Sequence, residues 1–255
     1  MLLKKLGEKG YNMLNYLKSE HLKMKRTFGK KLIFILPLAL LALTLSLGAM
    51  YFQVNSLNWW YTTLLPGLIA LYSAMVNQKE DKKLSYRAVL SLPVDMHKVW
   101  ISKIILILLS ISVASAFIVL GVFVGGLFLP KLVDYTTSQI LLAFVAMAVT
   151  TMWQIPLCLF IAKRFGFMLT LLFNVVLSIF GTITAVESLW WLYPYAWTPR
   201  IMTTIVKILP NGLLAEPSNP MIDTSTVPTV FLSSLIIFTL VTFITTGWFR
   251  GQEVK

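Results

Sequence analysis

Five stretches of this chain carry no charged side chain at all: 32–78, 104–130, 135–162, 165–186 and 224–249. A helix crosses the hydrocarbon core of a bilayer with about 20 residues. Each of the last four stretches therefore accommodates one crossing, and the first, with a polar interruption at 53-QVNSLN-58, accommodates two. The stretches lack period-2 alternation, and only helices or closed barrels satisfy backbone hydrogen bonds in lipid. The expected fold is an all-α membrane protein with six transmembrane helices near 32–52, 59–77, 104–128, 139–161, 166–187 and 227–248. Composition agrees, with 57% hydrophobic and only 13% charged residues, against roughly 25% charged in an ordinary soluble domain.

The lysines and arginines set an orientation. With both termini inside, 19 of the 22 fall on the inner side and three, Lys131, Arg200 and Lys207, on the outer, and that bias governs topology. The net charge of +12 thus records membrane orientation, with no need of nucleic acid. The expected organisation is a cytosolic N-terminal helix over 1–31, a six-span domain over 32–249 and a cytosolic tail at 250–255. The six-span domain includes a cytosolic loop at 78–103 and an outer segment at 188–226.

Several chemistries lack their residues. There is no G-x-x-x-x-G-K-[ST] to cradle a nucleotide. The single Cys158 excludes a disulfide framework and a CxxC metal site. His21 and His97 sit in basic stretches without ligand spacing, so they read as solvated. No metal ligand set and no catalytic residue is expected. Ion-coupled carriers need ionisable groups inside the membrane, and no span midpoint has one. Glu187, at the outer end of the fifth span, is either an interfacial carboxylate or a gate. A carrier without its own coupling ion and nucleotide site draws its energy from a partner. An intramembrane enzyme is disfavoured by the missing acid, base and metal groups. Asn77, Gln154 and Asn174 read as interhelical hydrogen-bond donors. Pro156 reads as a kink, and 121-GVFVG-125 as a site of close helix approach.

Three segments lie outside the hydrocarbon. In the N-terminal arm, Leu14, Leu17, His21, Met24 and Phe28 recur at helical spacing, with Lys18, Lys23, Lys25 and Arg26 around them. This reads as an amphipathic interfacial helix, or as a basic leader that only fixes orientation. In the outer segment an aromatic cluster from Trp190 to Trp197 forms an interfacial belt. After it, Thr198 can cap and Pro199 open a short helix. Ile201, Ile205, Ile208 and Leu209 line one of its faces, and Arg200, Thr203, Thr204 and Lys207 the other. The segment reads as an amphipathic hairpin or re-entrant element, serving as a lid or as a structural cap. Glu187, Trp190, Trp191, Trp197, Arg200 and Lys207 are the candidate outer gate or substrate path. In 77-NQKEDKKLSYRAVLSLPVDMHKVWISK-103, Leu84, Ala88 and Leu92 repeat every fourth residue and Pro93 ends the helix. So short a helix must pack on something. A partner ATPase is the favoured surface, and an ordinary positive-inside loop is the alternative.

At these residues the chain resembles a known family. The stretches 17-LKSEHLKMKRTFGKKLIFILP-37, 77-NQKEDKKLSYRAVLSLPVDMHKVWISKI-104, 153-WQIPLCLFIAKRFG-166, 190-WWLYPYAWTPRIM-202 and 249-FRGQEVK-255 resemble permease subunits of lantibiotic-immunity ABC transporters, the MutE/EpiE group of the ABC-2 type. The resemblance implies a coupling helix in the first cytosolic loop, carried by Leu84, Tyr86, Arg87, Ala88, Leu92 and Pro93, and re-entrant helices before the last span. It implies a cytosolic ABC ATPase that holds ATP and magnesium, so that this chain needs no cofactor and is not itself an enzyme. It also implies a second six-span permease subunit, sibling or identical, and a Gram-positive cell membrane. The function so implied is removal of lantibiotic-type antimicrobial peptides from the membrane. A peptide-sensing or structural subunit without transport activity is the alternative.

Overall fold

The computed structural model describes residues 12–25, 27–84 and 95–251, the side chains of 79–84 excepted. Among them, helices are the only extended elements. Helix α1 spans Met13–Met24 and α2 Phe28–Leu47. After Gly48, α3 (Phe52–Trp59), a π-helical turn (Trp60–Leu64) and α4 (Leu65–Leu84) follow without interruption. Helix α5 runs Met96–Phe128, α6 Thr137–Thr151, α7 Gln154–Phe165 and α8 Phe167–Thr184. A short α9 (Pro194–Val206) precedes the final α10 (Thr226–Arg250).

Four of these, α2, α5, α8 and α10, are each long and apolar enough to cross a membrane, and the pair α6–α7, bent by 40°, makes a fifth crossing if counted as one. The bend has a plain cause. Pro156 has no amide to give the carbonyl of Met152, which instead accepts from Ile155 at 3.1 Å. Proline acts similarly at Pro66: Thr62 loses its i+4 donor, and the chain widens there to a turn in which the Leu65 amide bonds the Trp60 carbonyl.

The break expected at 53-QVNSLN-58 falls elsewhere. The chain reverses at Gly48, whose φ of 145° suits glycine, and Gln53 to Asn58 lie inside α3. Their polar side chains turn inward: Gln53 Nε2 donates to the Val122 carbonyl at 3.1 Å, and Asn58 Nδ2 to the Leu209 and Pro210 carbonyls at 3.2 and 3.3 Å.

The two ends of the bundle differ. At one end the N-terminus of α5, the C-terminus of α7 and the C-terminus of α10 meet. There Trp100 stacks on Phe249 at 4.5 Å and donates through Nε1 to Thr245 Oγ1 at 3.1 Å, while Lys163 lies 4.7 Å from the Phe249 ring. Helix α1 packs on this same end of α5. At the opposite end lies α9, which packs between α6 and α8. Gly121 and Gly125 of α5 do permit close approach, but within this chain: a Cβ would stand 2.4 Å from Leu41 Cδ1 at the first and 2.3 Å from Phe52 Cε1 at the second.

Candidate functional site

The chemistry-bearing side chains gather at those two ends, with a polar link between helices in the middle. At the end carrying α1, Glu20 is buried and its carboxylate meets Lys103 Nζ at 3.2 Å and Lys23 Nζ at 2.5 Å. The Lys103 side chain is wholly buried. The amide of Asp95 donates to Tyr16 Oη at 3.1 Å, and the Asp95 carboxylate caps α5 by accepting from His97 N at 3.0 Å. An isolated buried charge is very costly, so burial of Lys103 requires its carboxylate partner. The pair pins α1 to the first turns of α5, next to segment 85–94. Periodicity had placed Leu14, Leu17, His21, Met24 and Phe28 on the apolar face. Of these, Met24 is buried against the protein, Leu14 is 64% exposed and Phe28 belongs to α2; Glu20 is the other buried position of α1. Glu20 is buried because Lys103 stands opposite it.

The coupling residues Tyr86, Arg87, Ala88, Leu92 and Pro93 lie outside the described residues. Leu84 is the last residue of α4, its side chain likewise outside the description.

In the middle, Asn174 Nδ2 donates to the Pro66 carbonyl at 2.8 Å and to Gln154 Oε1 at 3.0 Å, while its Oδ1 accepts from Tyr195 Oη at 2.9 Å. Asn77 Nδ2 donates to the Leu159 carbonyl at 2.8 Å. Each of the three amides thus bonds a neighbouring element, in an apolar interior where an unmade bond is expensive.

At the far end, α9 starts at Pro194 with Tyr193 as N-cap, five residues before the Pro199 start read from sequence. Thirteen residues give about 20 Å of helix, too short for a core of about 30 Å. The helix has no solvent face, in contrast to the amphipathic reading. Ile201 and Ile205 are buried, and so are Thr203 and Thr204, because each threonine finds a carbonyl. Thr203 Oγ1 donates to Ile208 O at 2.8 Å and Thr204 Oγ1 to Met221 O at 2.8 Å. Lys207, at φ 57°, ends the helix. The chain returns through an antiparallel bridge between Ile208 and Leu214.

Four candidate gate residues come together over α9. The Arg200 guanidinium donates to the Ala185 carbonyl at 3.0 Å and lies 5.0 Å from the Trp190 ring. Trp197, buried, donates through Nε1 to the Trp191 carbonyl at 3.0 Å. Burial lowers the Arg200 pKa from its ordinary value, and neighbouring Asp223 opposes that shift. Glu187 stands exposed beyond this group, and Lys207 Nζ bonds the Thr204 carbonyl at 2.7 Å at the opposite tip of α9. Sequence reasoning missed Tyr195, Asn58 and Glu20; the first two stand in aromatic or polar runs without a motif, and the third was hidden in a basic arm.

Among the described residues no cluster of histidine, cysteine, aspartate and glutamate could hold a metal ion. A family model described as ABC-2 family transporter protein matches residues 16–181, more than half of the chain. No curated protein and no solved structure matches.

Proposed function

This chain belongs to the ABC-2 transporter family, as the membrane permease component of an ABC exporter, and we propose that it removes lantibiotic-type antimicrobial peptides from the cell membrane of a Gram-positive producer or resistant cell. Its ABC ATPase partner carries ATP and magnesium. In this reading it pairs with a second six-span permease, sibling or identical. The run from α3 to α4 serves as the second of six spans, both termini are cytosolic, and α9 is a re-entrant element at the outer surface.

One observation carries the mechanism. The two helices that flank 85–94 both run the length of the bundle, α5 with 33 residues, or about 50 Å, and α4 prolonged by the π-turn and α3. At their far ends, Gln53 bonds α5 and Asn58 bonds the turn after α9. A push on Leu84, Tyr86, Arg87, Ala88, Leu92 and Pro93 by a closing ATPase dimer therefore moves two long helices that are tied to each other through Gln53, one of which holds the outer cap through Asn58. Glu187, Trp190, Trp191, Trp197, Arg200 and Lys207 then line the peptide's exit. An aromatic and partly cationic rim suits an amphiphile already lodged in the outer leaflet, which needs only lateral entry and release.

Co-expression with the ATPase and purification in mild detergent tests this. The wild-type chain should retain the ATPase, and Leu84→Asp/Ala88→Asp/Leu92→Asp should release it while still inserting in the membrane. Unchanged ATPase binding by the triple variant would move the docking site elsewhere. A permease that binds peptide but never an ATPase would support the sensing subunit instead.

A further inference from the structure

Where α1 crosses the first turns of α2 and the body of α5, it leaves a cleft of about 560 Å³, within the roughly 300–1,000 Å³ of ordinary ligand sites. Its two halves differ in chemistry. Lys18 and His21 of α1 and Lys30 of α2 stand at its mouth. Below them the walls are apolar, formed by Phe34 of α2 and by Leu109 and Val113 of α5. Leu109 and Val113 are 54% and 43% exposed, so these walls open sideways to whatever surrounds the bundle. The one polar pair on the floor is satisfied internally, since Ser110 Oγ donates to Tyr72 Oη at 3.2 Å. Among the described residues none of Lys18, His21 and Lys30 is paired with a carboxylate. The nearby Glu20 carboxylate faces the other way, to Lys103 and Lys23.

We propose that this cleft binds one anionic phospholipid, its phosphate held by Lys18, His21 and Lys30 and one acyl chain lying along Phe34, Leu109 and Val113. Depth supports the match. From Lys103, level with α1, to Val113 is ten residues of α5, or about 15 Å, half the thickness of the hydrocarbon core. Charge selects the occupant. A cationic peptide is repelled by a mouth of this sign, and a zwitterionic lipid gains less from it than one with net negative charge, each near-surface lysine being worth on the order of fivefold in binding constant. The lipid would then wedge α1 against α5 beside the Glu20–Lys103 pair, so that α1 is positioned by an ion pair on one flank and by lipid on the other.

The test is native mass spectrometry of the full chain, purified with its ATPase where the two associate. It is delipidated and then titrated separately with phosphatidylglycerol, phosphatidylcholine and water-soluble glycerophosphoglycerol. Saturable binding of one phosphatidylglycerol, with much weaker phosphatidylcholine and no retained glycerophosphoglycerol, is the expected result. Lys18→Gln/Lys30→Gln should weaken phosphatidylglycerol by about 25-fold. Lys25→Gln/Lys31→Gln, which removes the same charge from exposed positions outside the cleft, should leave it within about twofold of wild type. Val113→Trp should lower binding of phosphatidylglycerol without touching the cations. Equal binding of both lipids, or equal losses in the two lysine pairs, would overturn the site in favour of diffuse charge. Retention of the soluble headgroup would make it a phosphate site, and displacement of the lipid by a cationic peptide would make it a peptide site; either result overturns the proposal.

Discussion

The Glu20–Lys103 pair joins residues 83 positions apart, and nothing in the sequence announces it. In the arm, Glu20 is one acid among many bases; in the loop, Lys103 is one more inner cation. Only the folded chain shows that Lys103 is wholly buried, with the carboxylate 3.2 Å away. Removing one partner of a buried ion pair typically costs about 3–5 kcal/mol, whereas replacing both partners by apolar side chains is often close to neutral. Glu20→Met and Lys103→Met are each expected to lower the thermal unfolding temperature in detergent sharply. The double variant should recover a large part of the loss, with a coupling energy of about 0.5–3 kcal/mol. Strictly additive losses would show that the two groups are neighbours without an energetic bond.

At the scale of elements, what could be read in advance was what length and hydrophobicity dictate. The charge-free stretches 165–186 and 224–249 match α8 and α10 close to the expected bounds, and 104–130 matches the end of α5, which starts eight residues earlier than expected, at Met96. The errors cluster where polar residues sit inside helices. Gln53 and Asn58 look like a turn in sequence because their buried partners, Val122 O and Leu209 O, lie far along the chain. Pro199 looks like a helix start, yet α9 begins at Pro194, and Pro199 falls inside it. The close contact that seats α9 was equally hidden: a Cβ on Gly181 of α8 would stand 2.5 Å from the Tyr195 carbonyl oxygen, a backbone atom that cannot step aside. Gly181→Leu should therefore unseat α9 while leaving the crossings in place. Thr203→Cys, fully buried in the native packing, reports on this. With Cys158 as the only native thiol, itself buried, a membrane-impermeant maleimide should label Thr203→Cys alone poorly and the Gly181→Leu/Thr203→Cys chain strongly. Equal labelling of the two would mean that the cap is already open.

Across the whole molecule, the question is how the end with α1 and the end with α9 communicate, since the chain holds few charges between them and none at a span midpoint. Segregated lysines and arginines lead to the expectation of two unlike ends, but no sequence pattern pointed to a connection between them. In the proposed mechanism that connection runs through continuous helix where a turn had been expected. The α3 to α4 run, from Phe52 to Leu84, carries Asn58 about two turns from its start, and Asn58 Nδ2 grips the carbonyls of Leu209 and Pro210 just beyond α9. Losing that grip removes on the order of one net hydrogen bond's free energy, about 1 kcal/mol, from a contact made at the far end of a lever. Folding should survive such a loss better than coupling does. In vesicles holding the permease and its ATPase, Asn58→Leu is expected to leave ATP hydrolysis within about twofold while peptide release falls about fivefold, the ratio that about 1 kcal/mol of lost coupling produces. Parallel loss of hydrolysis and release would place Asn58 in the stability of the rod rather than in transmission. Release at the wild-type rate would mean that the stroke reaches the outer cap by another route, such as α6, whose Gln139 Nε2 donates to the Ile205 carbonyl of α9 at 3.3 Å.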